Sequence, residues 1–189
     1  MGNNTLHGSL VRLTAEEPKV LAETFAGWGG DSEYLRLLDS SAASLTSVKK
    51  LTEMIQKDQE KDPPQFYFFG VRTLEGDRLV GLIELDGQLF PHGEAFAGIG
   101  IGEREDWGQG YGTDAMKVIL RYAFQELNLR RVSLNTFEYN PRAIRSYEKA
   151  GFVHEGRMRE YLSREGRRWD LIFMGILREE WLAQNTVVS

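Results

Sequence analysis

The sequence predicts an α/β protein in which helices flank one mixed sheet. A chain of 189 residues is long enough to bury a sizeable hydrophobic core as one unit, so a single domain, residues 1–189, is expected. Strand-like and helix-like patterns follow the order strand, two helices, three strands, helix, strand, helix, two strands. A meander of three strands is typical of antiparallel pairing. The later strand–helix–strand unit indicates a crossover to a parallel neighbour, and the sheet is therefore expected to be mixed.

Residues 1–62 are predicted to contain a strand and two helices. Residues 6–13 alternate between apolar and polar side chains and are interpreted as the first strand. Thr14 is interpreted as the cap of a helix that has Pro18 in its first turn. Residues 27–44 combine frequent glycine and serine with weak periodicity, which predicts a loop with a helical turn.

A second helix and a three-strand meander are predicted next. Apolar residues recur on one helical face from Ser47 to Lys61, and Asp62-Pro63-Pro64 ends the pattern. The next two strands form a hairpin around a turn at Glu75-Gly76-Asp77, and a loop leads to the third. The predicted strands are residues 66–72, 79–85 and 94–101.

A glycine-rich loop joins the third meander strand to a long amphipathic helix. Gly108, Gly110 and Gly112 alternate, and apolar residues then recur at helical intervals as far as Asn128. The backbone N–H groups of a glycine loop are not covered by side chains, and the first turn of a helix leaves its own N–H groups unpaired. The segment therefore predicts a site for an anion such as a pyrophosphate.

The rest of the chain is predicted to form a strand, a helix and two closing strands. Residues 131–137 alternate as a strand does. The segment from Asn140 to Gly151 begins with a good N-cap and a proline and ends with a glycine, which indicates a complete helix. Residues 152–161 and 168–177 are interpreted as two strands joined by a turn.

The composition excludes several kinds of chemistry. The sequence has no cysteine, which excludes disulfides, thiolate nucleophiles and cysteine-bound zinc, and its three histidines are widely separated, so no metal site is expected. The net charge of −5 gives no support for nucleic-acid binding and is mildly favourable to a cationic substrate. No apolar run is long enough to span a membrane, and the N-terminus lacks signal-peptide features, so a cytoplasmic protein is expected.

The glycine loop by itself is compatible with several structures. A P-loop requires a lysine before a serine or threonine, but Thr113 and Asp114 follow the last glycine. A dinucleotide-binding fold places its glycines after the first strand, not past the middle of the chain. A tight strand-to-helix turn without a ligand is a further alternative.

Two segments together carry a resemblance to a known family. Trp107–Ala115, Trp-Gly-Gln-Gly-Tyr-Gly-Thr-Asp-Ala, resembles the acyl-CoA signature of the GNAT N-acetyltransferase superfamily. Asn140–Phe152, followed by Glu155-Gly156, resembles the second half of that superfamily. The combination is similar to the branch that contains ribosomal-protein-alanine and spermidine N-acetyltransferases.

The resemblance implies a GNAT-like acyl-CoA N-acyltransferase fold. The central mixed sheet would be split between the third meander strand and the parallel strand after the long helix, and CoA would lie in the split. Residues 66–181 would be the acyl-CoA-binding core, and residues 1–62 the acceptor-side region.

The resemblance also implies a cofactor site. Backbone N–H groups from Gly108 to Thr113 would bind the CoA pyrophosphate, which the partial positive charge of a helix start favours. The strand at Ile99–Ile101 would pair with the pantetheine arm, and its exposed N–H would hold the thioester oxygen. The candidate cofactor-binding residues are Ile99, Gly100, Ile101, Trp107, Gly108, Gln109, Gly110, Tyr111, Gly112, Thr113, Asn140, Ala143 and Tyr147.

Tyr147 is the candidate general acid. A phenol with a pKa of about 10 can protonate the departing CoA thiolate. Its place on the apolar helix face is also that of a core tyrosine. Asn140 has two compatible interpretations, because its side chain can cap the helix while facing the CoA arm.

The general base is less clearly indicated. Relatives often carry a glutamate two residues before a glycine of the third meander strand, where this sequence has Phe96. The candidate bases are Glu84, on the neighbouring strand, and Glu94, on the same strand face as Phe96. Water, or a carboxylate within residues 28–39, is the alternative. The candidate acceptor-binding residues are Trp28, Asp31, Glu33 and Phe96.

The sequence thus predicts an acetyl-CoA-dependent N-acetyltransferase that uses no metal. An acetyl group would pass from acetyl-CoA to a primary amine by direct attack in a ternary complex. The acceptor would be a protein N-terminus or a small amine such as a polyamine. A non-catalytic CoA-binding module and an acyltransferase for another acyl group are the alternatives, and the resemblance is compatible with a homodimer.

Overall fold

The computed structural model describes residues 4–60, 66–87 and 90–185. Within these residues, seven strands form one sheet in the order β1-β2-β3-β4-β5-β7-β6. The strands are β1 (Val11–Thr14), β2 (Phe66–Thr73), β3 (Leu79–Asp86), β4 (Glu94–Ile101), β5 (Arg131–Phe137), β6 (Val153–Arg164) and β7 (Arg167–Leu177). The helices are α1 (Pro18–Trp28), α2 (Ser32–Leu38), α3 (Val48–Gln59), α4 (Tyr111–Arg121), α5 (Pro141–Ala150) and α6 (Arg178–Asn185).

The predicted mixed sheet is confirmed. Strands β1 to β4 pair antiparallel in chain order, β4 pairs parallel with β5, and β5, β7 and β6 pair antiparallel. Helix α4 makes the crossover between the two parallel strands, as the strand–helix–strand pattern predicted. It continues beyond Arg121 as a π-helical turn to Glu126, two residues before the predicted end.

Helices cover both faces of the sheet. Neighbouring residues of a strand point to opposite faces, and β3 shows this clearly. Leu82 packs with the buried side chains of α1 and α2. Ile83 and Leu85 pack in the larger core with the apolar face of α4. The two cores hold the sheet rigidly between helical layers, which fixes the positions of the strand ends.

Several predicted boundaries in the first part of the chain are wrong. Strand β1 begins at Val11 because the buried Asp114 carboxylate accepts the N–H groups of Ser9, Leu10 and Val11, at 3.1, 2.7 and 3.0 Å, and so holds the preceding residues in a turn. Thr14 does not cap α1, since its hydroxyl bonds the Glu16 carboxylate at 2.6 Å.

The region predicted as a loop with a helical turn contains a defined helix. Helix α2 forms because the Asp31 side chain accepts the N–H of Glu33 at 2.9 Å and so provides a hydrogen-bond partner for an otherwise unpaired N–H at the helix N-terminus. Helix α3 was predicted with nearly correct bounds, although the predicted end at residues 61–64 lies outside the described residues. Helix α6 was not predicted.

The parallel pair β4–β5 is short, and this opens the sheet. Glu94, Ala95 and Phe96 pair with Arg131, Val132 and Ser133, and the registered pairing ends there. In the part of the chain that the structure describes, the remaining residues of β4 pair only with β3, on their other side. A split therefore opens between the C-terminal ends of β4 and β5.

Candidate active site

The split between β4 and β5 forms a cleft with two halves. The first, which we call the loop half, encloses about 340 Å³ between the end of β4, the glycine loop and α5. The second, which we call the strand half, encloses about 360 Å³ between α2, β3, β4 and β5. Both halves are lined by Tyr34, Leu37, Leu38, Ile99, Gly100 and Tyr147. Molecules entering the two halves would meet at these residues.

Two glycines shape the loop half. Gly108 and Gly110 have φ angles of +80° and +91°, in the left-handed region that favours glycine. Nothing lies within 4 Å of a Cβ placed on Gly108, so backbone conformation and not crowding requires the glycine there. Gly110 is the N-cap of α4, and Tyr111, Gly112 and Thr113 line the cleft. The unpaired N–H groups of this helix start make the loop half a site suited to an anion.

Helix α5 adds positive charge that the sequence interpretation missed. Arg142, Arg145 and Lys149 all line the loop half. Their three- and four-residue spacing places them on one helical face, and this spacing was the available signal. The Arg142 guanidinium lies 4.0 Å from the centre of the Trp107 ring, whose indole N–H donates to the Ile101 carbonyl at 2.8 Å. Trp107 therefore forms a wall of the site and holds a cation against it.

Two contacts fix α5 at the cleft. The Asn140 side chain accepts the N–H of Ala143 at 3.1 Å, which confirms the predicted cap, and Asn140 also lines the loop half. The Thr113 and Ser146 hydroxyls are 2.8 Å apart and join α4 to α5. The helix that contains Tyr147 is therefore held at its N-terminus and along its side.

Tyr147 lies where the two halves join. Its side chain packs edge-on against Phe152, and the residue is only 8% exposed. Burial raises the pKa of Tyr147 to about 12, because the phenolate is poorly solvated there. Tyr147 is therefore both a core residue, as its helix face indicated, and a protonated phenol that lines the cleft.

Alternating glycines of β4 are covered by side chains from other elements. A Cβ on Gly98 would lie 2.9 Å from a Glu84 carboxylate oxygen, and one on Gly100 would lie 2.9 Å from the Tyr34 hydroxyl. On Gly102, just beyond β4, it would overlap the Trp28 ring. The alternation of glycine along the strand was a sequence signal for close approach that the interpretation did not use.

The Tyr34 hydroxyl is an unusual group in this cleft. Tyr34 is 2% exposed, and its hydroxyl is buried without a hydrogen-bond partner in the described part of the chain. Burial raises the pKa of this phenol, so it stays protonated. No feature of the sequence around α2 indicated this residue, because its position depends on how α2 packs over β4.

The two candidate bases have different surroundings. Glu84 lines the strand half together with Phe96, and its side chain lies over Gly98. Glu94 stands at the closed end of the split, where it forms an ion pair with Arg130. Among the residues described, Glu94 lines neither half of the cleft. The geometry therefore favours Glu84.

Three predicted acceptor-binding residues have structural contacts instead of lining the cleft. Trp28 is buried and packs against Tyr34. Asp31 and Glu33 bind the Arg104 guanidinium at 2.6 and 2.7 Å. The Arg104 hydrogen bond lowers the pKa of Asp31 to about 2, so this carboxylate is poorly suited to act as a base.

The remaining predicted residues are mostly placed at the loop half. Ile99, Gly100, Ile101, Trp107, Gly108, Gly110, Tyr111, Gly112, Thr113, Asn140, Ala143 and Tyr147 line it. The Gln109 side chain instead donates to the Glu105 carbonyl at 3.4 Å. Within the described residues, no cluster of side chains suited to binding a metal ion occurs. Over the same residues, no helix has the length and apolar character needed to cross a membrane.

Comparison with known proteins gives a family match over most of the chain. The family model described as an acetyltransferase (GNAT) domain matches residues 10–153. The chain is 30% identical over 151 residues to the SPbeta prophage-derived uncharacterized N-acetyltransferase YokL of Bacillus subtilis (strain 168), over 80% of this chain and 82% of that protein. It is 35% identical over 78 residues to the putative ribosomal N-acetyltransferase YdaF of the same organism, over 41% of this chain and 43% of that protein.

A solved structure has the same fold. The crystal structure of spermidine N-acetyltransferase from Vibrio cholerae in complex with CoA and spermine matches with a TM-score of 0.80 and 27% identity, over 91% of this chain and 98% of that chain. The fold predicted from the two sequence segments is thereby confirmed.

Proposed function

Because this chain belongs to the GNAT acetyltransferase family, we propose that it transfers the acetyl group of acetyl-CoA to a primary amine by direct attack in a ternary complex. Acetyl-CoA is the cosubstrate of this enzyme. The observation that supports the proposal is the junction of the two halves at Tyr147. A donor in the loop half and an acceptor in the strand half would bring their reacting atoms together there.

The loop half has the groups that acetyl-CoA requires. Its pyrophosphate would lie on the N–H groups between Gly108 and Thr113, near the side chains of Arg142 and Arg145. The exposed edge of β4 from Ile99 to Ile101 would pair with the amide groups of the pantetheine arm. This arrangement directs the thioester toward Tyr147 and leaves the strand half to the acceptor.

Two side chains would handle the protons. The acceptor amine is mostly protonated near pH 7, and Glu84 would take its proton directly or through water. The free amine then attacks the acetyl carbon, and the carbon–sulfur bond breaks. Tyr147 would donate its proton to the departing thiolate, and the nitrogen would lose its second proton, which restores the Tyr147 phenol through water, so that the products are an acetamide and CoA. Direct attack is favoured because the sequence has no cysteine to carry an acyl group.

The acceptor would be a small amine such as a polyamine, or a protein N-terminus. The first is supported by the solved Vibrio cholerae enzyme and by two carboxylates, Glu84 and Asp39, in the strand half. The second is supported by the putative ribosomal enzyme among the relatives. Aromatic side chains also line this half and would pack against the chain that carries the amine; they are Phe25, Phe68, Phe96 and Phe137.

The experiment that tests the proposal follows thiol release from acetyl-CoA with a panel of polyamines, peptides and amino sugars. Turnover with a primary amine, and with propionyl-CoA or succinyl-CoA clearly slower than acetyl-CoA, is the expected result. Tight CoA binding without turnover across the panel would indicate a non-catalytic module instead. Faster turnover with another acyl-CoA would contradict the acetyl group as the natural donor.

Two further expectations concern the whole protein in solution. We propose a cytoplasmic homodimer, on the basis of the sequence composition and the family resemblance. Sedimentation velocity with and without acetyl-CoA measures the assembly state, and a monomer at working concentration would contradict it.

A further inference from the structure

The Tyr34 hydroxyl lies at the junction of the two halves and has no hydrogen-bond partner among the described residues. A buried hydroxyl that makes no hydrogen bond is unfavourable, and in most proteins such groups are satisfied. Tyr34 lines both halves of the cleft, and its hydroxyl faces Gly100 on the strand that borders the loop half. A group of this kind at a reaction site indicates a hydrogen bond that forms when substrate is bound.

The surroundings of α2 hold this hydroxyl in place. At the N-terminal end of α2, Asp31 binds Arg104 at 2.6 Å. At the C-terminal end, the Arg36 carbonyl accepts hydrogen bonds from the Tyr139 hydroxyl at 2.5 Å and from Arg164 at 2.7 Å. The Tyr34 ring itself packs edge-on against Trp28. A donor that is fixed before substrate arrives needs no reorganisation during the reaction.

The glycine at position 100 is consistent with a hydrogen-bonding role for the Tyr34 hydroxyl. Any side chain there would collide with the Tyr34 hydroxyl, since even a Cβ would lie 2.9 Å from it. Gly100 therefore lets the phenol approach the backbone of β4, beside the expected path of the pantetheine arm. The carbonyl of a thioester that follows this path would come within reach of the hydroxyl.

Resting on the proposed function, we propose that the Tyr34 hydroxyl donates a hydrogen bond to the acetyl carbonyl oxygen as that oxygen gains negative charge. During the attack, the nitrogen–carbon bond forms and an electron pair of the carbonyl moves to its oxygen. Tyr34 keeps its proton throughout, because its phenol is neutral and poorly ionisable where it is buried. When the electron pair returns, the carbon–sulfur bond breaks and the thiolate takes its proton from Tyr147, while the nitrogen loses its second proton, which restores the Tyr147 phenol through water. The two tyrosines therefore act on different atoms.

The test compares Tyr34→Phe with Tyr122→Phe, a half-buried tyrosine that packs against Tyr67 and Phe69 away from the cleft. In Tyr34→Phe, kcat should fall about 100-fold or more, because one oxyanion donor is lost. The KM for the amine should stay within about twofold of wild type, because the hydroxyl acts on the acetyl group, and the larger effect should fall on kcat, because the bond strengthens in the transition state. Tyr122→Phe should leave kcat unchanged.

Two measurements do not depend on turnover. The melting temperature of ligand-free Tyr34→Phe should equal or exceed that of wild type, because the substitution removes an unsatisfied polar group and keeps the ring. Wild type should bind acetyl-CoA more tightly than CoA in calorimetry, and Tyr34→Phe should lose this difference. Both predictions can be checked even if no amine in the panel is accepted.

The results that would contradict the role of Tyr34 differ from those that would contradict the proposed function. A wild-type enzyme that is inactive with every amine counts against the proposed function, and the ratio of acetyl-CoA to CoA affinities then decides the role of Tyr34. With an active wild type, unchanged kcat in Tyr34→Phe overturns the inference. A raised KM for the amine with kcat preserved also overturns it, since the hydroxyl would then bind the acceptor.

Discussion

At the scale of single residues, the clearest prediction concerns Tyr147. Tyr147→Phe should lower kcat about 100-fold, because the thiolate loses its proton donor. The dissociation constant of CoA should change by less than about twofold, since the ring that lines the cleft is kept. Stopped-flow thiol release and calorimetry measure the two quantities. Unchanged kcat, with chemistry shown to be rate-limiting, would remove Tyr147 as the acid.

The raised pKa of Tyr147 also predicts how stability and activity should change with pH. Its folded pKa, about 12, exceeds the unfolded value, so the neutral phenol is stable in the folded protein at all lower pH values. The stability associated with this group is fully present below the unfolded value, about 10, and is lost as pH rises from there through the folded pKa. Activity should therefore rise as the acceptor amine deprotonates, without a decline from Tyr147 below about pH 10. A descending limb near neutral pH that disappears in Tyr147→Phe would contradict this.

Glu84 and Glu94 form a matched pair for testing the base. Glu84→Gln should lower kcat/KM about 10- to 100-fold near pH 7, where the amine must lose a proton. The loss should shrink at alkaline pH, where free amine is already present. Glu94→Gln removes a carboxylate that is paired with Arg130 outside the cleft, so activity should be nearly unchanged. Unchanged kcat/KM in Glu84→Gln would indicate that water, and not Glu84, accepts the proton.

At the scale of elements, α5 supplies charge to the loop half. Arg145→Gln should raise the KM for acetyl-CoA about 5- to 20-fold, because a cation at the phosphate site is lost. The dependence of KM on salt should weaken, and kcat should be preserved. Arg159→Gln, an exposed position on β6, is the control and should have no effect. A fall in kcat at constant KM would show that Arg145 acts elsewhere.

An ion pair joins the segment before α1 to β2. Glu16 accepts two hydrogen bonds from the Arg72 guanidinium, at 2.6 and 2.9 Å, and the Arg72 hydrogen bond lowers the pKa of Glu16. A lowered folded pKa contributes stability that is present above the unfolded value, about 4.3, and is lost as pH falls through the folded value. Wild type should therefore lose stability toward acid more steeply than Glu16→Gln. Parallel melting-temperature curves from about pH 3 to 7 for the two proteins would contradict this.

At the scale of the whole molecule, residues 1–62 and the acyl-CoA core should unfold together. Strand β1 belongs to the same sheet as β2, and Asp114 of α4 holds the segment before it through three N–H groups. Far-UV circular dichroism and tryptophan fluorescence should therefore give one melting temperature. Two separate transitions would show that the chain contains two independently stable units.

Features that depend on residues close in sequence were predicted correctly, whereas features that depend on residues distant in sequence were not. The helix from Asn140 to Gly151 and the glycine loop were predicted because capping and left-handed φ angles depend on residues that are close in sequence. Strand β1 was placed too early because Asp114, about a hundred residues away, sets its start. Similarly, the sequence does not indicate which face of α1 and α2 lies on the sheet, so it could not show that Trp28 packs against Tyr34 or that Asp31 pairs with Arg104.

By itself, the sequence determined the family, the order of the strands and the segments of the loop half, but not helices α2 and α6. These depend on local chemistry: hydrophobic periodicity, glycine backbone freedom, and two motifs in a fixed order. Only the tertiary structure decided that Tyr34 and Glu84 line the cleft and that Glu94 does not. Glu84 and Tyr34 lie over the alternating glycines of β4, and Glu94 is paired with Arg130 at the closed end of the split. Such positions depend on the packing of elements distant in sequence, which no local pattern specifies.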